Sequence, residues 1–276
     1  STEDMIGFVS NIFSGPCYRR RASEFRCSSV LESNNSLVNH NEGGSDHPAV
    51  KVLYKDSFLV VVDKPAGLLV HRNPKLDRNA RHFVLNEAEK LLPGHKLFTV
   101  HRLDRPTSGV IIFALDSPEN AALLQKSLVT AEKQYLTVCK GLTPDSWTNE
   151  HELTDYDNKR KVKRSAKTSF ITLGWLPQIG YSVVLARPHT GRRHQIRRHL
   201  SNQRYHVACD TEYGKGRDNR VLREDFGLSR LFLHAYRLHI THPISGQRLS
   251  FESKLPSDLN EFLMKIPLVK QRWIDA

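Results

Sequence analysis

The sequence is poor in cysteine, with four in 276 residues, at positions 17, 27, 139 and 209 and no Cys-x-x-Cys pair. Such spacing provides neither a disulfide framework nor a zinc site, and it suits a reducing compartment. Long apolar runs are missing too: no stretch approaches the roughly 18 apolar residues that a membrane helix needs, so no transmembrane helix and no membrane partner are expected. Nucleotide-binding motifs and metal-ligand spacings are also absent. His189, His194, His199 and His206 follow one another at intervals of five, five and seven, which gives no pair at the i, i+4 interval of a zinc protease helix. No carboxylate accompanies them at ligand spacing, so no metal is expected.

The chain is rich in base: 41 Lys and Arg stand against 29 Asp and Glu, a formal charge of +12. The excess sits in the body, because residues 1–47 hold four basic and six acidic residues, leaving 37 and 23 for 48–276. A globular body with that balance suits a polyanion, since every neutralised phosphate releases a counterion. It suits a basic protein with no nucleic-acid role equally well, and charge alone does not choose.

Residues 1–47 are rich in Ser and Asn, carry Gly43-Gly44-Ser45 and show no sustained period, so a disordered tail is expected there. Within it, 5–30 have the Arg- and Ser-rich composition of an organelle transit peptide. Glu3 and Asp4 at its start do not fit one, and the cytoplasm is the expected compartment. From about Val50 the pattern is structured. Lys51–Val62 reads as a hairpin about Lys55-Asp56-Ser57, and 82–92 as a helix ended by Pro93-Gly94. Val110–Leu115 reads as a buried strand and 117–126 as a helix opened by Pro118. Tyr135–Cys139 is a strand, Thr168–Trp175 and Tyr181–Ala186 form a second hairpin, His194–Leu200 is a short helix, and Leu231–Ile240 is a strand. Hairpins dominate and no internal linker interrupts 48–272, so one α+β domain is expected over 48–276, with a mixed, largely antiparallel sheet flanked by helices. A monomer is expected.

Three segments carry chemistry. His101-Arg102-Leu103-Asp104-Arg105-Pro106-Thr107-Ser108-Gly109 is a polar loop between the apolar Phe98–Val100 and Val110–Leu115, a rigid mount for a functional group. Arg102 and Asp104, two apart, face one side in extended chain, and a carboxylate beside arginines can serve as nucleophile or base. A salt-bridged turn is the bland alternative. The second segment, 187–204, holds six arginines and no acid. There Thr190 is expected to cap the helix, Arg193 and Arg197 to share one face, and Ile196 and Leu200 to pack inward. Its arginines suit phosphate or an internal carboxylate alike. The third, Lys159–Lys167, has six Lys or Arg in nine residues and reads as a flexible loop able to grip phosphates. Tyr135, on a strand, is placed to stack on an extruded base or to serve as core.

Taken together these segments resemble the RluA-type pseudouridine synthase family. His101–Gly109 is similar to its HRLDxxTSG signature, Lys133-Gln134-Tyr135 with Gly141 to KxYxxxxxG, and Thr190–Leu200 to TGRxHQIRxHL. Lys64-Pro65-Ala66-Gly67 fits an early KPxG motif and Asp210-Thr211-Glu212-Tyr213-Gly214 a later DxxYG. The likeness spans roughly 50–256 and is strongest to the tRNA-directed branch, tRNA pseudouridine synthase C. It implies a central active cleft and a reaction that breaks the N1–C1′ bond of uridine, turns the uracil and rejoins it through C5, with no cofactor. It also implies the site. Asp104 is the catalytic aspartate, Arg197 pairs with it, Tyr135 stacks on the uracil and Ile196 borders the pocket. Arg102 helps displace the base, and Arg192 and Lys64 lie against substrate. RNA is the implied partner, tRNA before rRNA; a catalytically silent RNA-binding protein is the rival. Cys209, Arg193 and Arg198 depart from the family's usual Gly, Thr and Val.

Overall fold

The computed structural model describes residues 49–71, 82–157 and 160–269. The expected tail at 1–47 and Lys159 of the basic run lie outside them.

Four strands come first: β1 (Lys51–Lys55), β2 (Leu59–Lys64), β3 (Leu97–Thr99) and the fully buried β4 (Ser108–Leu115). Side chains alternate across a strand, so β2 and β4 feed two cores at once. Val60, Val62, Ile111 and Phe113 pack with Val84 and Ala88 of helix α1 (Val84–Lys90) on one face. Leu59, Val61, Val110 and Ile112 pack with Leu124 and Leu128 of α2 (Pro118–Thr130) on the other. Helix α2, expected to end near Lys126, runs on to Thr130 because Leu128 is buried. Its start is as expected, with Ser117 Oγ accepting from Asn120 N at 3.1 Å and Pro118 in the first turn.

The remaining strands are β5 (Glu132–Lys140), β6 (Ser146–Asn149), β7 (Leu153–Asp157), β8 (Arg160–Arg164), β9 (Thr168–Leu176), β10 (Tyr181–Pro188), β11 (Leu233–Thr241) and β12 (Arg248–Glu252). Helices α3 (Gln195–Asn202), α4 (Gly216–Glu224) and α5 (Ser257–Met264) complete the described elements. The main sheet runs β1-β2-β4-β11-β5-β10-β9-β6, with β3 on β4 and β12 on β11, and β7–β8 form a separate pair. Pairing is antiparallel throughout except at the centre, where Ser108 and Gly109 of β4 run parallel to His234 and Ala235 of β11. Beyond these two residues the strands part, and β3 and β12 fill the fork.

Gly109 permits that junction. A Cβ there would lie 2.2 Å from the carbonyl oxygen of Ala235, and its φ of +114° is open to glycine. Tyr135 of β5 packs against both the cluster under α1 and the cluster under α3, so α1 and α3 share a face. The loop before Ser108 opens onto that face. The largely antiparallel sheet flanked by helices is the expected α+β fold. The basic run, expected as a flexible loop, is largely strand: β8 pairs with β7 from Leu153↔Arg164 to Asp157↔Arg160.

Candidate active site

Asp104 lies in the loop between β3 and β4, and several clamps hold that loop. Leu103 enters the core, and Ile112 N donates to His101 Nε2 at 3.1 Å. Burial drives the His101 pKa down to about 3, so this histidine is a neutral structural acceptor. Lys64 is fully buried, with Nζ donating to the carbonyls of Thr107 at 2.7 Å, Pro65 at 2.9 Å and Arg105 at 3.2 Å. This corrects the expectation that Lys64 touches substrate. An ammonium has three N–H donors, and all three hold backbone around Asp104. Burial pulls the Lys64 pKa down to about 7, with Asp104 pulling the other way. Arg105 ties the loop to the Lys64–Gly67 turn, its Nε donating to Gly67 O at 2.9 Å and its carbonyl accepting from Gly67 N at 2.8 Å.

The opposite wall is α3. Gln195 fastens its start: its amide oxygen accepts from Thr190 Oγ1 and Arg192 N, and its Nε2 donates to Lys167 O and Thr168 Oγ1. Thr190 therefore does not cap the helix as expected; its hydroxyl is spent on Gln195. Residue 194, with φ 51° and ψ 29°, stands at the N-cap instead. Arg193 precedes the helix and is exposed, so it shares no helix face with Arg197. Arg192 donates Nε to Ser165 O at 2.9 Å.

Arg197 is the hub. Its Nη1 donates to Asp104 Oδ2 at 3.0 Å, while Nε and Nη2 grip Asp210 Oδ2 and Oδ1 at 2.7 and 2.8 Å. Nη2 also reaches Glu212 Oε2 at 3.4 Å, and the guanidinium lies 5.0 Å from the Tyr213 ring centre. Burial disfavours the Arg197 charge, but Asp210 and Asp104 outweigh it and raise its hold on the proton. Burial likewise acts to raise the Asp210 pKa. Arg197, together with the N–H groups of Tyr213 at 3.0 Å and Glu212 at 2.9 Å, reverses the sign and lowers it. Asp210 orients the guanidinium, and the guanidinium orients Asp104.

Tyr135 and Ile196 pack in one cluster beside this pair. Burial first, then the Asp104 charge, pushes the Tyr135 phenol well above its usual pKa, so it stays neutral. Arg102, on the other side of the loop from buried Leu103, is exposed. Of the residues expected at the site, Asp104, Arg197, Tyr135 and Ile196 thus come together. Arg102 is exposed on the same loop, and Lys64 holds the loop's backbone. Asp210, Glu212, Tyr213 and His194 join the site without a role expected of them from the sequence. Asp210 and Tyr213 had a signal in the Asp-x-x-Tyr-Gly motif, whose Gly214 is needed because a Cβ there would meet Asp210 O at 2.3 Å.

Among the described residues no group of three or more His, Cys, Asp or Glu could hold a metal ion. Residues 58–202 match the family described as RNA pseudouridylate synthase. The chain belongs to that family. It is accordingly an RNA-modifying isomerase. It is 36% identical over 219 residues to the tRNA pseudouridine synthase C of Pasteurella multocida, covering 73% of this chain and 89% of the relative. Its identity to the protein of the same name from Vibrio cholerae is 34% over 229 residues, 75% and 91% of the two chains. A third, from Pectobacterium carotovorum, is 35% identical, and the chain spans 59% of its length. Among solved structures, human RNA Pseudouridylate Synthase Domain Containing 4 superposes with a TM-score of 0.63 at 24% identity, covering 80% of this chain and 95% of that one. That likeness speaks to the fold alone.

The three departures from the family pattern find places in this pseudouridylate synthase. Cys209 has φ 55°, a conformation that favours glycine, and its buried thiol bonds to Leu228 O at 3.0 Å. Arg198 holds the β7–β8 pair, with Nη2 donating to Thr154 O at 2.7 Å and Nη1 to Asp155 Oδ1 at 3.1 Å. Arg193 stands 3.8 Å from Glu212.

Proposed function

We propose that this protein isomerises a uridine of tRNA and that Asp104 acts on the ribose of that uridine. The observation that supports this most is the Asp210–Arg197–Asp104 chain, which holds one carboxylate beside Tyr135 and Ile196. A uridine stacked inside a folded RNA is out of reach of a carboxylate held in this way, so it must be extruded, at a cost of a few kcal/mol. The Tyr135 ring offsets part of it, because base–aromatic stacking contributes ~1–3 kcal/mol. Arg102 fills the gap left in the RNA. The exposed bases of β8, Arg160, Lys161, Lys163 and Arg164, grip phosphates beside the site, since Arg198 ties their hairpin to the helix that carries Arg197. A monomer suffices.

The tRNA assignment draws on the names of the relatives. It is tested by release of tritium from uridine C5, which must lose its hydrogen when it bonds to the sugar. With purified protein in EDTA, release is expected from labelled tRNA transcripts and not from rRNA fragments. Release from rRNA fragments alone would overturn the tRNA assignment.

A further inference from the structure

A second ionisable side chain from the start of α3 lies against Asp104. His194 Nε2 lies 3.6 Å from Asp104 Oδ1, the oxygen that Arg197 does not hold. Its other nitrogen, Nδ1, lies 3.0 Å from the Tyr213 hydroxyl and 3.2 Å from Glu212 Oε2. The imidazole itself is 11% exposed and Glu212 is 44% exposed, so the ring bridges a sheltered carboxylate and a wet one.

A neutral ring that carries its proton on Nδ1, toward the Tyr213 hydroxyl and the Glu212 carboxylate, leaves the lone pair of Nε2 toward Asp104. Burial lowers the proton affinity of His194. Asp104 and Glu212 oppose it, and Arg197 and Arg193 add to it, so the resting ring is neutral and able to accept a proton. These four are the charged groups that face it. The backbone marks the same residue: φ 51° is uncommon outside glycine, and strain of this kind gathers at functional sites.

We propose that His194 carries away the proton that uracil C5 gives up, acting through Asp104. The proposal rests on Asp104 being the reacting carboxylate. Once C5 has bonded to C1′ it still carries its hydrogen. The C5–H electron pair becomes the C5=C6 double bond, the N1=C6 pair returns to N1, and N1 takes a proton from water. The C5 proton passes to Asp104 Oδ1 and then to His194 Nε2. Nδ1 releases its own proton through Tyr213 and Glu212 to bulk solvent. One proton leaves C5 and one arrives at N1, so charge balances. The 3.6 Å gap exceeds an ordinary hydrogen bond by about 0.6 Å. Catalytic hydrogen bonds in substrate-free sites commonly tighten only when substrate binds.

The test is His194→Asn, which tolerates the left-handed backbone and cannot relay a proton. Single turnover is followed on tRNA carrying either hydrogen or deuterium at uridine C5. The expected result is a rate about 10²-fold below wild type, a larger rate ratio between hydrogen and deuterium than wild type shows, and unchanged RNA affinity. A slower variant with the wild-type isotope ratio would show a structural role and overturn the relay, as would a wild-type rate. Should His194→Asn fail to melt cooperatively, His194→Gly, which relieves the backbone, decides by the same ratio. A wild-type protein that turns over no RNA sinks the functional assignment; an active one with an indifferent His194 sinks the relay alone.

Discussion

Two basic segments lie close in sequence and point opposite ways in space. In 187–204 helix α3 turns one guanidinium inward: Arg197 is 3% exposed, Gln195 and His199 are buried beside it, and Asp210, Asp104 and Glu212 hold it. In Arg160–Arg164 every basic residue of the strand is exposed, and Val162 alone is half-buried. The difference comes from the apolar residues between the charges. Ile196 and Leu200, four apart on α3, are drawn into the core under β10 and carry Arg197 with them. β8 pairs only with β7, off the main sheet, so nothing draws its bases inward. Inward bases orient catalytic groups; outward bases meet phosphate.

Breaking the inward half has the largest effect. Arg197→Met leaves Asp210 buried and unpaired, at a cost of ~3–5 kcal/mol in urea unfolding, and removes measurable turnover. A stable, active Arg197→Met would erase the distinction. Next comes pH, because the interior also holds neutral histidines. Burial lowers the pKa of His234 to about 4, that of His101 to about 3, and that of His199 in the same direction. As pH falls, the unfolded chain takes up these protons near 6.5, before the folded chain does. Stability from these groups is therefore complete above pH 6.5 and declines as pH drops toward 4, by about 1.4 kcal/mol per pKa unit. His234→Gln should flatten that decline in thermal melts.

The outward half responds differently. Lys161→Gln with Lys163→Gln should leave stability within about 0.5 kcal/mol. RNA affinity should fall, and the salt dependence should become shallower by about two in log–log slope, as binding titrations would show. An unchanged slope refutes phosphate contact. Smallest is Arg198→Val, which frees the hairpin from α3: affinity should drop a few-fold while turnover at saturating RNA holds.

The same contrast shows how far the sequence could be read. The His101–Gly109 loop was legible because a polar run between two apolar strands has one place to go, and the motif placed Asp104 at once. Arg197 was legible through the motif, though not its debt to Asp210, since a pair thirteen residues apart closes only through the Asp210–Gly214 turn. Lys64 shows the reverse: its motif marked importance, but only burial reveals that its ammonium holds backbone. The unusual Cys209 had its explanation in a positive φ that no side-chain pattern announces. His194 read as the first turn of a helix, and its left-handed backbone turns the ring toward Asp104 instead.

The central claim is that Asp104 performs the isomerisation while the surrounding bases hold the RNA. The measurement that tests it most directly is pseudouridine formation and RNA binding by Asp104→Asn beside wild type. The account predicts near-wild-type affinity with no product. Substantial product from Asp104→Asn would contradict it.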